Sequence, residues 1–354
     1  MNIKDISNLR LTNQQITESK FKTAKDIVSW MGAMQAQDFN MVKWAIGVRL
    51  PKSTEKSVEL AIDNGEIIRT HLLRPTWHLV SCDDIHWMLD LTAPRIKASM
   101  KSRDKVLELT PAIYKKSSEV FEKALTGGKH LTREALLTEL KKANIATDNN
   151  RASHILFGAE LDGIICSGKT SSSKHTYALL TEWCPKTKPL DREVALGKLA
   201  HRYFTSHSPA TLQDFAWWSG LSLTESRQAL GIVKSNFVSE IIESQTYWFS
   251  QSFSIPETYQ SDVHLLPAYD EFLISYTDRS ASLPFENNSK AVSMNGIFFP
   301  VIIVNGQVAG VWKRTLKKDQ VTLETTYFKT PDKSVKKGVE EAFLKYAHFL
   351  GKKS

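Results

Sequence analysis

Three times along this chain helical patterns are followed by two short strands around a turn, and that order limits the fold more than any other feature. Helix, helix, hairpin is the outline of a winged helix. Over residues 23–50 two helical patterns follow one another, STEKSVELAIDNG gives a third, and IIRTHLL and TWHLVS read as strands hinged at Arg74 and Pro75. A second copy starts at His130, with LTREALLTELKKA and NNRASHILFGAELDG as helices and ICSGKT and KHTYALL as strands around a serine tip. The third starts at Asp191. There REVALGKLAHRYFTSH is helical, TLQDFAWWSG opens after Pro209, Ser222 and Glu225 form a capping box that launches another helix, and FVSEIIESQTYWFS supplies the strands. The copies share element order and little residue-level similarity.

Beyond residue 261 the pattern changes. HLLPAYDEFLISY leads to GIFFPVIIVNGQVAGVW, where Asn305 and Gly306 between apolar runs signal a type I′ hairpin, and VTLETTYF adds a strand. SVKKGVEEAFLKYAHFLGKK has apolar residues at helical spacing and ends in Gly351 and lysines, as a surface helix should. The expected fold is α+β and predominantly helical: three tandem winged-helix modules at 1–129, 130–190 and 191–260, then a C-terminal β-rich segment and terminal helix over 261–354. No low-complexity linker separates them, so they should pack together.

A chain of 354 residues with 42% hydrophobic residues can fill several cores. Lys and Arg outnumber Asp and Glu by 46 to 38, and the resulting +8 favours a polyanionic partner such as nucleic acid. Cys82, Cys166 and Cys184 are odd in number, far apart and without CxxC spacing, which supports neither a disulfide framework nor a structural zinc site and fits a reducing cytosol. The start lacks the apolar core of a signal peptide, and no stretch approaches the ~18 apolar residues of a membrane span, so a cytoplasmic location is expected.

Several candidate sites weaken on their context. Residues 163–170, GIICSGKT, match the Walker A letters. A phosphate-binding loop must leave a strand and enter a helix, whereas here a helical pattern precedes and a strand follows. As a wing the same hairpin is more useful: Lys169, Lys174 and His175 flank small hydroxyl residues suited to phosphate contacts, with a solvated turn as the equal alternative. His71, His78 and His86 lack the i, i+4 spacing of a helical metal pair, so no metal is expected. Trp217 and Trp218 read as core. Asp270 and Glu271 read as a cap or solvated turn rather than a paired acid and base. No GxSxG, HExxH or Cys–His signature is present.

One segment resists this treatment. MGAMQAQDF places Gln35 and Gln37 around one alanine in an apolar, apparently helical run, and on a helix positions i and i+2 point apart. Asp38 is a good N-cap for a helix starting at Phe39, which would put QAQ at a junction where both amides could face one cleft. On these residues alone, a structural role for the glutamines is preferred.

The combination MQAQDF…KWAIGVRL, IIRTHLLRPTWHLVSCDDI, HLLPAYDEFLISYTDR and FFPVIIVNGQVAGVWKR, in that order over nearly the whole chain, resembles the AlkZ/YcaQ-like winged-helix DNA glycosylases of bacteria. The resemblance implies three winged-helix modules forming a C-shaped, positively charged concave face. It also implies a monofunctional glycosylase of base excision repair that removes alkylated purines, including bulky adducts and, in some members, interstrand crosslinks. The family's catalytic signature is Gln, any residue, then Gln or Asp, which falls here on Gln35, Ala36 and Gln37. Where one subtype offers a carboxylate, Gln37 offers a neutral amide, and Asp38 lies one residue too late. With four matching segments the catalytic reading of QAQ overtakes the structural one. The expected protein is a cofactor-independent monomer acting on alkylated double-stranded DNA in the bacterial cytoplasm, at the nucleoid. The rival is a noncatalytic winged-helix transcriptional regulator.

Overall fold

Residue 2 opens the first helix of a computed structural model that describes residues 2–170, 174–186, 188–251 and 262–354. Along the chain run α1 (Ile3–Asn13), α2 (Ala24–Met31), β1 (Ala33–Gln35), α3 (Phe39–Arg49) and α4 (Glu55–Asp63), then the strands β2 (Ile67–Leu72) and β3 (Thr76–Ser81). Two long helices follow, α5 (Ile85–Val106) and α6 (Pro111–Leu125), with β4 (Leu131–Thr132), α7 (Arg133–Lys142), α8 (Arg151–Leu161), β5 (Ile165–Ser167), β6 (Thr176–Leu179) and the short α9 (Leu180–Trp183). Next come α10 (Arg192–Ser206), α11 (Leu212–Ser219), α12 (Leu223–Val233), β7 (Phe237–Ile242) and β8 (Gln245–Ser250). The last stretch holds β9 (Val263–Leu266), α13 (Glu271–Ile274), α14 (Asn288–Ala291), β10 (Val301–Val304), β11 (Gln307–Leu316), β12 (Val321–Tyr327) and α15 (Lys333–Leu350).

The fold is α+β and mostly helical, and its local signals act as their chemistry requires. Ser222 accepts from Glu225 N while the Glu225 carboxyl accepts from Ser222 N, closing the capping box of α12. Asn305 and Gly306 take positive φ of 49° and 76° between β10 and β11, the I′ geometry. β2 pairs antiparallel with β3, β5 with β6, and β7 with β8, so each helical group is followed by its hairpin. The serine tip expected at 171–173 lies outside the described residues, as do Thr187 and the stretch 252–261.

By contacts the chain groups into two compact units: Met1–Glu59, Leu196–Trp218 and Ser222–Ser354 form one, Leu60–Ala195 and Ser219–Leu221 the other. This grouping follows packing, whereas the modules expected at 1–129, 130–190 and 191–260 were read from element order alone. In the first unit β12, β11, β10 and β9 form one sheet. There α15 packs on β9 and α3 through Trp44, whose ring meets Tyr346 edge-on at 5.0 Å and whose Nε1 donates to the Leu265 carbonyl at 2.7 Å. In the second unit α6, α7 and α8 close over β5 and β6 through Phe121, Leu136, Leu140, Ile155 and Tyr177.

Contrary to the expectation from spacing, two of the three cysteines are bonded. Cys82 and Cys184 are joined as a disulfide, with Cα atoms 5.6 Å apart across 102 residues of sequence. Spacing rules see only neighbours in sequence, and this pair is brought together by the fold of the second unit. Cys166 is free and buried.

Candidate active site

Gly32 ends α2 at φ +81°, a conformation that favours glycine, and turns the chain into β1. Asp38 then accepts from Asn40 N and Met41 N, both at 3.0 Å, and starts α3. The residues between are therefore outside any helix, and the helical objection to the i, i+2 glutamines does not apply. Gln35 closes β1 at 5% exposure, while Gln37, two residues on, is exposed.

Behind Gln35 lies a buried polar network in the same unit. The Gln35 N–H donates to Glu271 Oε1 at 2.5 Å. Glu271 Oε2 accepts from Trp218 Nε1 at 3.2 Å and from Ser275 Oγ, with His207 Nε2 3.8 Å away. Burial pushes the His207 imidazole below the ordinary histidine pKa, against the pull of Glu271. Beside it, both Arg49 Nη atoms meet the two Asp270 oxygens at 2.8 Å, and Arg49 Nη2 also donates to Gln14 Oε1 at 2.8 Å. Gln14 Nε2 donates to Tyr276 Oη at 2.9 Å, and Tyr276 Oη donates to the His207 carbonyl at 2.7 Å.

Asp270 and Glu271 therefore need a partial correction. Asp270 does cap α13, accepting from Phe272 N at 2.9 Å. The turn is not solvated, however, because the two residues are 3% and 1% exposed and each carboxyl is held by donors from distant segments. The available signal was two adjacent carboxylates inside an apolar run, LLPAYDEFLI, with no polar face to put them on. Trp218 is core, as expected, and also supplies a donor; Trp217 is 43% exposed and donates to the Ile274 carbonyl at 2.8 Å.

The Walker-like residues sit as a hairpin arm. Gly168 N donates to the Thr176 carbonyl at 2.9 Å, and β6 returns antiparallel to β5 where a phosphate-binding loop would enter a helix. Titration with ATP and Mg²⁺ should show no saturable micromolar binding; binding that disappears in Lys169→Ala would contradict this. Lys169 is exposed, with its N–H on His130 Nδ1 at 3.0 Å and its ammonium 5.6 Å from the Trp183 ring centre. Lys174 and His175 are exposed on the other arm. The three histidines considered for metal are engaged separately: His71 pairs with Glu160, His78 Nδ1 lies 2.9 Å from the Thr76 carbonyl, and His86 Nε2 lies 3.0 Å from the Cys184 carbonyl. Among the described residues no cluster of three His, Cys, Asp or Glu could hold a metal ion, and no helix is long and apolar enough to cross a membrane.

A family model described as DNA glycosylase AlkZ-like matches residues 28–349, a span that contains β1, both glutamines and the whole polar network except Gln14. The chain belongs to the AlkZ-like DNA glycosylase family. Among relatives of this AlkZ-like chain is the interstrand DNA cross-link repair glycosylase of Streptomyces sahachiroi, 22% identical over 352 residues, an alignment covering 93% of this chain and 92% of that one. The solved structure of the Streptomyces sahachiroi DNA glycosylase AlkZ is similar at a TM-score of 0.83 and 19% identity, covering 100% of this chain and 98% of that one. At that identity the likeness speaks for the fold.

Proposed function

We propose that this family member hydrolyses the N-glycosidic bond of alkylated purines in duplex DNA, with N7-alkylguanine and N3-alkyladenine as the primary lesions and bulky adducts or interstrand crosslinks in the same class. The observation that carries this reading is the Gln35–Ala36–Gln37 segment, held outside a helix and backed by a buried network that fixes its backbone.

The chemistry suits two amides. Alkylation gives the purine a formal positive charge, so the base leaves neutral, taking the electrons of the glycosidic bond as water oxygen bonds to C1′. A proton is then lost to solvent. Little basicity is needed from the protein. Gln37, exposed and next to the cap of α3, orients the water by accepting from it through the amide carbonyl and donating through the NH₂; Gln35 positions that water or the adjoining sugar and phosphate. No metal or cofactor enters this scheme, and the enzyme acts as a monomer in the bacterial cytoplasm, at the nucleoid.

Lys169, Lys174 and His175 on the second hairpin are proposed phosphate contacts, supported by their exposure and the +8 charge. Affinity for duplex DNA should fall steeply with salt, log K dropping by about 0.9 per phosphate contact in log salt. Replacing Lys169 and Lys174 together with glutamine should reduce that slope by up to about two units. An unchanged slope would take this hairpin out of the interface. Release of free alkylpurine from a duplex tests the reaction itself, since a regulator of this fold would bind DNA and release nothing.

A further inference from the structure

The adjacent carboxyls of Asp270 and Glu271 grip the two elements on either side of residues 36–38. Asp270 holds Arg49, at the end of α3, through two 2.8 Å contacts. Glu271 holds the backbone N–H of Gln35, at the end of β1. One short helix, α13, thus ties down both elements that flank residues 36–38. Gln37 itself lies outside any regular element.

The grip is itself fixed. Asp270 caps α13, and Glu271 Oε2 is set by Trp218 Nε1 at 3.2 Å and by Ser275 Oγ, which leaves Oε1 on Gln35. A carboxyl group 1% exposed is costly to bury unless such donors satisfy it, and a packing role for this position would be met by an apolar side chain. The N–H that Oε1 accepts belongs to the residue whose side chain the reaction uses. Fixing that nitrogen fixes the origin of the Gln35 side chain.

From this geometry we infer that Glu271 is a positioning residue for base excision, acting through Gln35 and never touching DNA. The inference rests on the glycosylase reading above and is separable from it. Single-turnover excision at saturating protein, with duplex affinity measured alongside, is read for wild type, Glu271→Ala, Gln35→Ala and the double variant. Misplacement of a reacting group by about 1 Å can cost 10²-fold, so Glu271→Ala should slow excision by about 30- to 100-fold, with affinity for undamaged duplex within about threefold. In the Gln35→Ala background the same change should cost nothing further, because the group it positions is already gone. Glu271→Gln keeps an oxygen for the Gln35 N–H but turns an NH₂ toward Trp218. It should lose less than the alanine variant, and its loss should likewise vanish with Gln35→Ala; it carries the test where Glu271→Ala does not fold.

A folded Glu271→Ala that excises at the wild-type rate would overturn the inference. So would equal fold-losses with and without Gln35, for either variant, since that additivity marks a generally structural residue. A wild-type protein that binds duplex DNA but releases no alkylpurine would remove the glycosylase reading first, and this inference with it.

Discussion

Gln37→Ala and Gln35→Ala should each slow base release by about 10²- to 10³-fold in single-turnover assays, the loss seen when one placed polar group that acts in the transition state is removed. Affinity for the same duplex should change far less, because one amide adds little beside many phosphate contacts. Gln37 is exposed, so its truncation leaves no buried cavity and the protein should remain folded by circular dichroism. Gln35 is 5% exposed and its variant requires that control more. Gln37→Asp is the sharper change. If orienting and activating water limits the reaction, the carboxylate should retain activity, or raise it on lesions that leave less readily. Two folded variants with wild-type rates would refute the catalytic assignment while leaving a glycosylase.

The largest effect on stability is expected at Arg49. Its guanidinium is 0% exposed and bidentate on Asp270, and Arg49→Met would leave Asp270 buried without its countercharge. Breaking a buried pair from one side costs about 3–5 kcal/mol, which should appear as a large fall in the urea midpoint. The surface pair of Lys142 with Glu139, N···O 2.7 Å, supplies the contrast: Lys142→Met should cost no more than about 1 kcal/mol. Equal midpoints for the two variants would mean that the Arg49–Asp270 pair does not hold α3 to α13.

How much of this was legible depended on the range of the signal. Ser222 with Glu225, Asn305 with Gly306, and Asp38 before α3 each act within a few residues, and the structure places each where the sequence indicated. The helices α5 and α6 drew no reading. α5 runs for 22 residues with Pro94 inside, and a proline in a polar, charge-dotted stretch normally argues for a break. The Cys82–Cys184 disulfide and the two-unit grouping depend on segments far apart in sequence. Glu271 was hidden for the same reason: its partners are Gln35, Trp218 and Ser275, and only the fold brings the first two to it. The glutamine pair was visible as an anomaly and Asp38 pointed to a helix junction there, but that Gln35 ends a short strand, β1, was not legible.

This chain should cut the glycosidic bond rather than merely bind its DNA. Purified wild-type protein mixed with a duplex carrying a single N7-methylguanine, followed by mass spectrometry of the free base and alkali cleavage of the strand, measures it directly. Free N7-methylguanine and an equal amount of abasic site should form without added metal or cofactor, at a rate that falls in Gln35→Ala and Gln37→Ala. Tight binding of that duplex and of N3-alkyladenine duplexes, with no base released above the spontaneous rate, would contradict it.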